Sequence, residues 1–415
     1  CGVASMADVL RRSLLQDKRA GEEREGTAGA SADSDKSEQP KRTRPRHDAS
    51  PRSCGLASPE TAGHGSSKCT GSCVQVMRHL RLPAQRIASS APRVGKRAQD
   101  EEGILMPQIG FGTYKLREAR QAVILALTLG YRQIETAFIY SAEKTEPEVG
   151  YALAAARASG LAREEVFVTT KHWRKYHGFE PSIKCLELSL KRLQLEYVDL
   201  WLMHWPGPAY TTMNRRKDVL TEHGPWHYAA FSEAEMPAVR AETWRAMEEA
   251  LAMGKVRAIG VSNFSIRHLE ALRRTARVWP PAVNQIELHP WFQQRELVAY
   301  CQEQGIRVQA YASLGGQDAS KASLSALGGP LSEQPPVLAA AAAHGVSTAQ
   351  VLLRWACQKD FAVIPKSSSL EHMAENLRLD FELSDAEVDG IDALDRAEPG
   401  RQCWRNDPLR ALDWA

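Results

Sequence analysis

Four side chains that could share a proton stand at or just after the ends of apolar runs in this chain. In GYRQIETAFIY, residues 130–140, Glu135 lies inside an otherwise apolar run and Tyr140 follows five residues later. Lys171 ends the run FVTTK, and His204 ends the run DLWLMH. A buried carboxylate without a cation is costly, so Glu135 needs a positive partner, and Lys171 is the natural candidate.

These four residue types suit the protonation of a carbonyl oxygen while a hydride reaches its carbon. A tyrosine hydroxyl can act as general acid, but its ordinary pKa of about 10 makes it reluctant. We expect the Lys171 ammonium to lower the pKa of Tyr140 and the Glu135 carboxylate to hold that ammonium in place. An imidazole such as that of His204 can orient the carbonyl oxygen by a hydrogen bond.

Each residue also has an ordinary structural interpretation when it is taken alone. A lysine at a strand end is commonly a solvated charge, a histidine before Trp-Pro a packed one, and a tyrosine an amphipathic residue at the rim. A metal-dependent hydrolase is disfavoured, because the 12 histidines form no HxH pair at a predicted strand end. No metal site is therefore expected.

The elements that must position these residues alternate between β-rich and helical runs from about residue 103. The strand candidates are PQIGFG, YRQIETA, VFVTTK, YVDLWLMH, VRAIGVS, PAVNQIEL, IRVQAYA and FAVIPK. Strict alternation with amphipathic helices predicts an α/β fold with a parallel sheet, and eight strands predict a (β/α)8 TIM barrel. An open doubly wound sheet is the alternative, but no GxGxxG opens a helix here. In such a barrel the active site lies at the C-terminal ends of the strands.

A second group of residues could bind phosphate. Lys366, Ser367 and Ser368 follow the last predicted strand and precede the helical run SLEHMAENLRL. Backbone amides at a helix start attract anions, and a lysine adds a positive charge. An ordinary helix cap beside a surface lysine is the competing interpretation.

Together these segments resemble the aldo-keto reductases, a family of (β/α)8 carbonyl reductases that use NAD(P)H. GKVRAIGVSNFS, VNQIELHPW, VIPKSSS, TTKHW and WLMHWPG carry the resemblance, which covers residues 103–415. It implies NADPH as the cofactor and places the catalytic tetrad of the family on Glu135, Tyr140, Lys171 and His204. The resemblance also implies a nicotinamide ring stacked on Tyr311.

Further site residues are implied by the same resemblance. The nicotinamide carboxamide would be held by Ser262, Asn263 and Gln285. The other cofactor contacts would be Gly112, Thr113, Leu314, Lys366, Ser367, Ser368, Glu375 and Asn376. The substrate pocket would be formed by Tyr114, Trp173 and Trp205, with Trp404 added from the C-terminal tail.

The chain departs from the family pattern at three places. Glu135 replaces the tetrad aspartate, and YSAEKTEPEVG, which begins at Tyr140, is a few residues longer than usual. His372 stands where an arginine usually grips the 2′-phosphate, so we expect NADPH to be favoured less firmly and NADH to be accepted. In addition, the long segment after His204 fits either a substrate lid or a surface loop.

The composition of the chain indicates its partners, the state of its cysteines and its domain organisation. The 415 residues carry a net charge of +3, which gives no pull toward nucleic acid or a membrane. Eight scattered cysteines indicate free thiols in a reducing compartment. We expect residues 1–102 to be a low-complexity, disordered extension and residues 103–415 to be the barrel of a cytoplasmic monomer acting on a small carbonyl substrate. The alternative function is a weakly catalytic, cofactor-binding regulatory subunit.

Overall fold

The computed structural model describes residues 78–85, 103–207, 235–316 and 321–403 of the chain. Two short antiparallel strands, β1 (His79–Arg81) and β2 (Leu105–Pro107), precede one eight-stranded parallel sheet. The strands of that sheet are β3 (Phe111–Gly112), β4 (Gln133–Glu135), β5 (Phe167–His172), β6 (Val198–Met203), β7 (Val256–Ser262), β8 (Val283–Glu287), β9 (Arg307–Tyr311) and β10 (Ala362–Val363).

The sheet closes on itself beside its first and last strands. Neighbouring strands follow chain order from β3 to β10, and Ile109 forms a parallel bridge with Val363. The Gly110 amide donates to the Val363 carbonyl at 2.8 Å, and the Val363 amide donates to the Gln108 carbonyl at 2.8 Å. This closure confirms the predicted (β/α)8 barrel.

Helices cover the sheet between successive strands. Helices form between the predicted strands, and five glycines that follow helices, Gly130, Gly160, Gly254, Gly305 and Gly345, all have a positive φ. The helices within the described residues are Ala119–Leu129, Thr145–Ala158, Phe179–Leu193, Met236–Ala252, Ile266–Arg273, Arg295–Glu303, Lys321–Ala326, Pro335–His344, Thr348–Gln358, Leu370–Leu377 and Asp385–Asp392.

Three of these helices were not predicted from the sequence: Lys321–Ala326, Thr348–Gln358 and Asp385–Asp392. Local signals were present for the last two. Ser347 caps the helix from residue 348 and pairs with Gln350 in a capping box, and Ser384 and Glu387 do the same for the helix from residue 385. The prediction assigned one helix to each interval between strands, so these additional helices were missed.

The β1–β2 hairpin covers the N-terminal end of the barrel. Leu80 and Leu82 are buried in one apolar cluster with Phe167, Leu200 and other residues of the barrel strands. The Gln85 side chain bonds both the amide and the carbonyl of Ile259 in β7, at 2.8 and 2.9 Å. Residues 78–85, which the sequence analysis placed in the extension, therefore pack on the barrel. Leu80 and Leu82 are the apolar residues of β1 and its exit, a run too short to predict from its pattern.

The rest of the predicted extension, and the long segment after strand β6, lie outside the described residues. Within the described part of the chain, no single helix is long and apolar enough to cross a membrane. Two helical segments, Leu324–His344 and Thr348–Gln358, pass that test only as a pair bent by 97°. The four cysteines there, Cys185, Cys301, Cys357 and Cys403, are free thiols, as predicted.

Candidate active site

The register of the strands brings the four predicted catalytic residues to one end of the barrel. Glu135 is the last residue of β4 and pairs with Gly112 of β3 and Thr169 of β5. Lys171 lies two residues further along β5, and His204 directly follows β6. All are at the C-terminal ends of neighbouring strands, where barrels hold their active sites.

Lys171 contacts both of the residues that the sequence analysis predicted as its partners, Glu135 and Tyr140. Its Nζ forms an ion pair with Glu135 Oε1 and donates to Tyr140 Oη at 2.6 Å. The Tyr140 hydroxyl lies 3.3 Å from the same Glu135 oxygen. Glu135 and Lys171 are each 1% exposed, so the carboxylate is paired and the extra methylene of glutamate is accommodated.

Burial sets the protonation of this group. Burial lowers the pKa of Lys171 well below its ordinary value, and the ion pair with Glu135 opposes that effect and favours the ammonium. Burial also raises the pKa of Tyr140, and the nearby Tyr114 and Tyr311 add to that effect. Desolvation outweighs the effect of the ammonium, so the expected lowering of the Tyr140 pKa by Lys171 does not appear and the tyrosine keeps its proton.

His204 lies beside the tyrosine with its ring against aromatic side chains. Its ring centroid is 6.1 Å from that of Tyr140 and 5.8 Å from that of Trp173. Burial, together with the positive charges of Lys171 and Arg174, lowers the pKa of His204 well below its ordinary value. A neutral imidazole results, and its Nδ1 has no hydrogen-bond partner among the described residues.

An open cleft of about 940 Å³ lies over the tetrad and continues toward β10. Of the predicted site residues, the cleft is lined by Glu135, Tyr140, His204, Gly112, Tyr114, Ser262, Asn263, Gln285, Tyr311, Leu314 and Lys366. The structure therefore brings three of the tetrad and most of the predicted cofactor residues together in one cavity.

Hydrogen bonds fix the residues assigned to the carboxamide. The Asn263 side chain donates to the His204 carbonyl at 3.0 Å and accepts from the Tyr311 hydroxyl at 2.8 Å. Ser262 donates to the Gln285 carbonyl at 2.8 Å. Asn263 has a φ of 62°, a left-handed conformation that asparagine tolerates. The network joins the loop after β6 to strands β7, β8 and β9, so these polar groups are held ready at the wall of the cleft.

Two features of the wall fit a nucleotide with phosphates. A Cβ on Gly112 would lie 2.7 Å from the Ile364 carbonyl oxygen, so a larger residue would push the backbone apart at this side of the cleft. Burial and the nearby charge of Lys115 lower the pKa of Lys366. A second positive charge near Lys366 indicates a place where an anion is favoured.

Other predicted residues do not line the cleft. Thr113 is fully buried, and its hydroxyl donates to the Glu135 carbonyl at 3.0 Å, which gives it a structural contact. Ser367 bonds to Ser369, which caps the helix Leu370–Leu377. Lys171, Ser368, Glu375, Asn376, Trp173 and Trp205 are also absent from the lining of the cleft, and Trp404 lies outside the described residues.

The cleft also contains residues that were not predicted: Ala312, Ser313, Gly316, Ile364, Pro365 and Cys403. Cys403 comes from the segment near the C-terminus, where its amide donates to Glu287 Oε1 at 3.0 Å. The sequence offered no signal for Cys403, because a lone cysteine far from any strand end carries no pattern.

The family of the chain follows from comparison with known proteins. The model of the aldo/keto reductase family matches residues 108–396, which is more than half of the chain. The chain is an aldo-keto reductase. This confirms the family predicted from the sequence.

Individual aldo-keto reductases are similar over nearly their whole length. Glyoxal reductase of Bacillus subtilis is 39% identical over 300 residues, covering 71% of this chain and 91% of that protein. Aldo-keto reductase family 1 member A1 of Rattus norvegicus is 39% identical over 302 residues, covering 71% and 87%. The crystal structure of a Bombyx mori aldo-keto reductase in complex with NADP is 30% identical with a TM-score of 0.62, covering 80% of this chain and 98% of that one.

Membership of this family confirms three predictions from the sequence. This aldo-keto reductase is an NADP-dependent oxidoreductase, it reduces carbonyl groups, and it uses NADPH. The polar groups and Lys366 along the cleft fit that cofactor.

Proposed function

We propose that Tyr140 is the general acid that protonates the carbonyl oxygen. In this proposal Lys171 stabilises the tyrosine after proton transfer, Glu135 holds Lys171, and His204 orients the carbonyl oxygen. One observation carries this proposal: the buried Lys171 ammonium donates to Tyr140 Oη at 2.6 Å. That bond occupies a lone pair of the phenol oxygen, which leaves the hydroxyl proton to be donated. The long 3.3 Å contact with Glu135 is the competing acceptor, and a carbonyl oxygen in the cleft can replace it.

Bound NADPH supplies the hydride that reaches the carbonyl carbon. As the hydride arrives, negative charge develops on the carbonyl oxygen and the Tyr140 proton moves to it. The phenolate that remains is stabilised by the Lys171 ammonium, whose position is fixed by Glu135. Neutral His204, with a ring beside Tyr140, orients the same oxygen.

The pocket supports a small aldehyde or ketone as the substrate. Next to Tyr140 the wall is aromatic, since the rings of Tyr114 and Tyr140 have centroids 5.1 Å apart and Trp173 packs on His204. The cleft itself exposes mainly apolar surface. Together with the similarity to glyoxal reductase, this favours small reactive aldehydes.

The experiment is to assay the purified protein with NADPH against glyoxal and a panel of aldehydes and ketones, by loss of reduced nicotinamide absorbance. We expect Tyr140→Phe to lower kcat by about 10²- to 10⁴-fold, since general acid catalysis contributes that much. NADPH binding, measured by protein fluorescence, should persist. Tyr114→Phe, at the same wall, is the control and should retain most of its activity. A Tyr140→Phe variant as active as Tyr114→Phe would contradict the proposal.

The alternative of a weakly catalytic regulatory subunit has no support from the comparisons. We also propose that the enzyme acts on its small substrate as a monomer in the cytoplasm, without a nucleic acid or membrane partner. The net charge of +3, which gives no pull toward nucleic acid or a membrane, supports the last part of this proposal. Light scattering of the purified protein tests the monomer, and fractionation of cells tests the compartment.

A further inference from the structure

The segment that carries Tyr140 continues in an unusual backbone conformation. Ser141, Ala142 and Glu143 have φ values of 52°, 53° and 73°, three left-handed residues in succession, and none is a glycine. Left-handed conformations bring a Cβ too close to the following carbonyl, so such a run persists only where other contacts maintain it. The backbone bonds there are long, with 3.3 Å from the Thr145 amide to the Tyr140 carbonyl. Contacts of the side chains must therefore hold the turn.

Glu143 provides those contacts through two cations. Lys175 Nζ donates to Glu143 Oε1 at 2.9 Å, and Arg192 pairs with Oε2. The three side chains are only 10–17% exposed. Although burial acts to raise it, the bonds and charges of Lys175 and Arg192 hold the pKa of Glu143 below its ordinary value. The carboxylate is therefore ionised and paired at neutral pH.

The same two cations also hold the chain before Tyr140. Phe138 is fully buried, with the Arg192 guanidinium 4.2 Å and the Lys175 ammonium 5.6 Å from its ring centroid. Tyr140 thus lies in the chain between two residues, Phe138 and Glu143, that contact one pair of cations. Lys175 itself lies four residues after Lys171, so the contact joins the turn after the tyrosine to the segment that directly follows β5.

We propose that Glu143 is a positioning residue, which fixes the Tyr140 hydroxyl against Lys171 by anchoring the left-handed turn to Lys175 and Arg192. The proposal rests on the proposed function of Tyr140 as general acid. The Lys171–Tyr140 contact of 2.6 Å leaves little tolerance, and a displacement of about 1 Å at a reacting group can cost on the order of 10²-fold in rate. Cofactor binding does not pass through this turn, because Glu143 does not line the cleft.

The test compares Glu143→Gln with Glu148→Gln in the full-length enzyme. Glu148 lies in the helix Thr145–Ala158 that follows the turn, and it also has an arginine partner, Arg120 at 3.0 Å, which belongs to the helix Ala119–Leu129. We expect Glu143→Gln to lower kcat at least about tenfold with an unchanged KM for NADPH, and Glu143→Asp to recover part of the loss. Glu148→Gln should leave kcat unchanged.

If Glu143→Gln is poorly folded, Lys175→Gln removes one of the two contacts and should lower kcat several-fold with the same unchanged KM. Equal kcat values for Glu143→Gln, Lys175→Gln and Glu148→Gln would overturn the proposal. So would a parallel change in the KM for NADPH. These results are distinct from failure of the general acid assignment, which would appear as an active Tyr140→Phe.

Discussion

At the scale of single residues, the site depends on one ammonium shared by two oxygen atoms. Lys171 contacts Glu135 and Tyr140, and all three residues are at least 91% buried. Removing one partner of a buried pair leaves a charge without compensation, which typically costs about 3–5 kcal/mol. Changes at Glu135 should thus act on the chemistry and on folding together, unless they keep the charge.

Glu135→Asp keeps the charge and shortens the side chain by one methylene. We expect kcat to fall by about tenfold or more, because the carboxylate then withdraws from both Lys171 and Tyr140. Steady-state kinetics with NADPH and an aldehyde measure it, with the KM for NADPH as the internal control. A higher kcat in the aspartate variant would show instead that the native glutamate impairs the site.

His372→Arg should strengthen the preference for NADPH. His372 is exposed at the start of the helix Leu370–Leu377, close in sequence to Lys366 and Ser367. An arginine can donate two bonds to a phosphate, and a bond to a charged group contributes about 1.5–3 kcal/mol. The Kd for NADPH should fall by about tenfold or more while the Kd for NADH stays constant. Equal changes for both cofactors would place the 2′-phosphate elsewhere.

Most of the site could be predicted because its residues stand at strand ends. Glu135, Lys171 and His204 each follow an apolar run, and strand order makes them neighbours. What could not be predicted depends on distances between separate segments. The contact of Tyr140 with Glu135, the desolvation that raises the pKa of Tyr140, and the arrival of Cys403 in the cleft are all of this kind.

At the scale of elements, the hairpin and the extra helices are the parts that the alternating pattern did not contain. The pattern of apolar runs predicted all eight barrel strands, because a buried parallel strand is a continuous apolar segment. β1 is only three residues long and has one buried residue, Leu80, so its sequence does not differ visibly from the polar chain around it. β1 forms where it does because Leu80 packs against apolar residues at the end of the barrel.

Two shortened chains test the role of the hairpin. A variant that begins at residue 78 should keep the melting temperature and activity of the full chain. One that begins at residue 103 loses Leu80 and Leu82, whose burial contributes about 3–6 kcal/mol together. That is a large part of the 5–15 kcal/mol typical of a whole protein. We expect a much lower melting temperature for the shorter variant; equal values would mean that the hairpin contributes nothing.

At the scale of the whole molecule, buried histidines make stability depend on pH. Burial lowers the pKa of His172 to about 4 and that of His268 to about 3, and it lowers the pKa values of His177 and His204 well below the ordinary range. In the unfolded chain these groups titrate near pH 6.5. Between that pH and about pH 4 the unfolded chain binds more protons than the folded one, so acid favours unfolding.

We therefore expect the free energy of unfolding to fall as the pH drops from 7 to 5. Each such histidine lowers the free energy of unfolding by about 1.4 kcal/mol for each pH unit below pH 6.5. Urea unfolding at pH 7, 6 and 5 measures the slope, and His268→Gln should reduce it by one histidine's share. A free energy of unfolding that is constant over this range would contradict the expectation.

The seam of the barrel has a consequence for the order of events during synthesis. Gly112 from the first barrel strand and Ile364, Pro365 and Lys366 from the end of the last one meet along the same wall of the cleft. These residues are separated by more than half the chain, so a nascent polypeptide has no complete cofactor cleft until its last strand has left the ribosome. Binding of NADPH can therefore stabilise the completed barrel, but it cannot guide the assembly of the earlier strands.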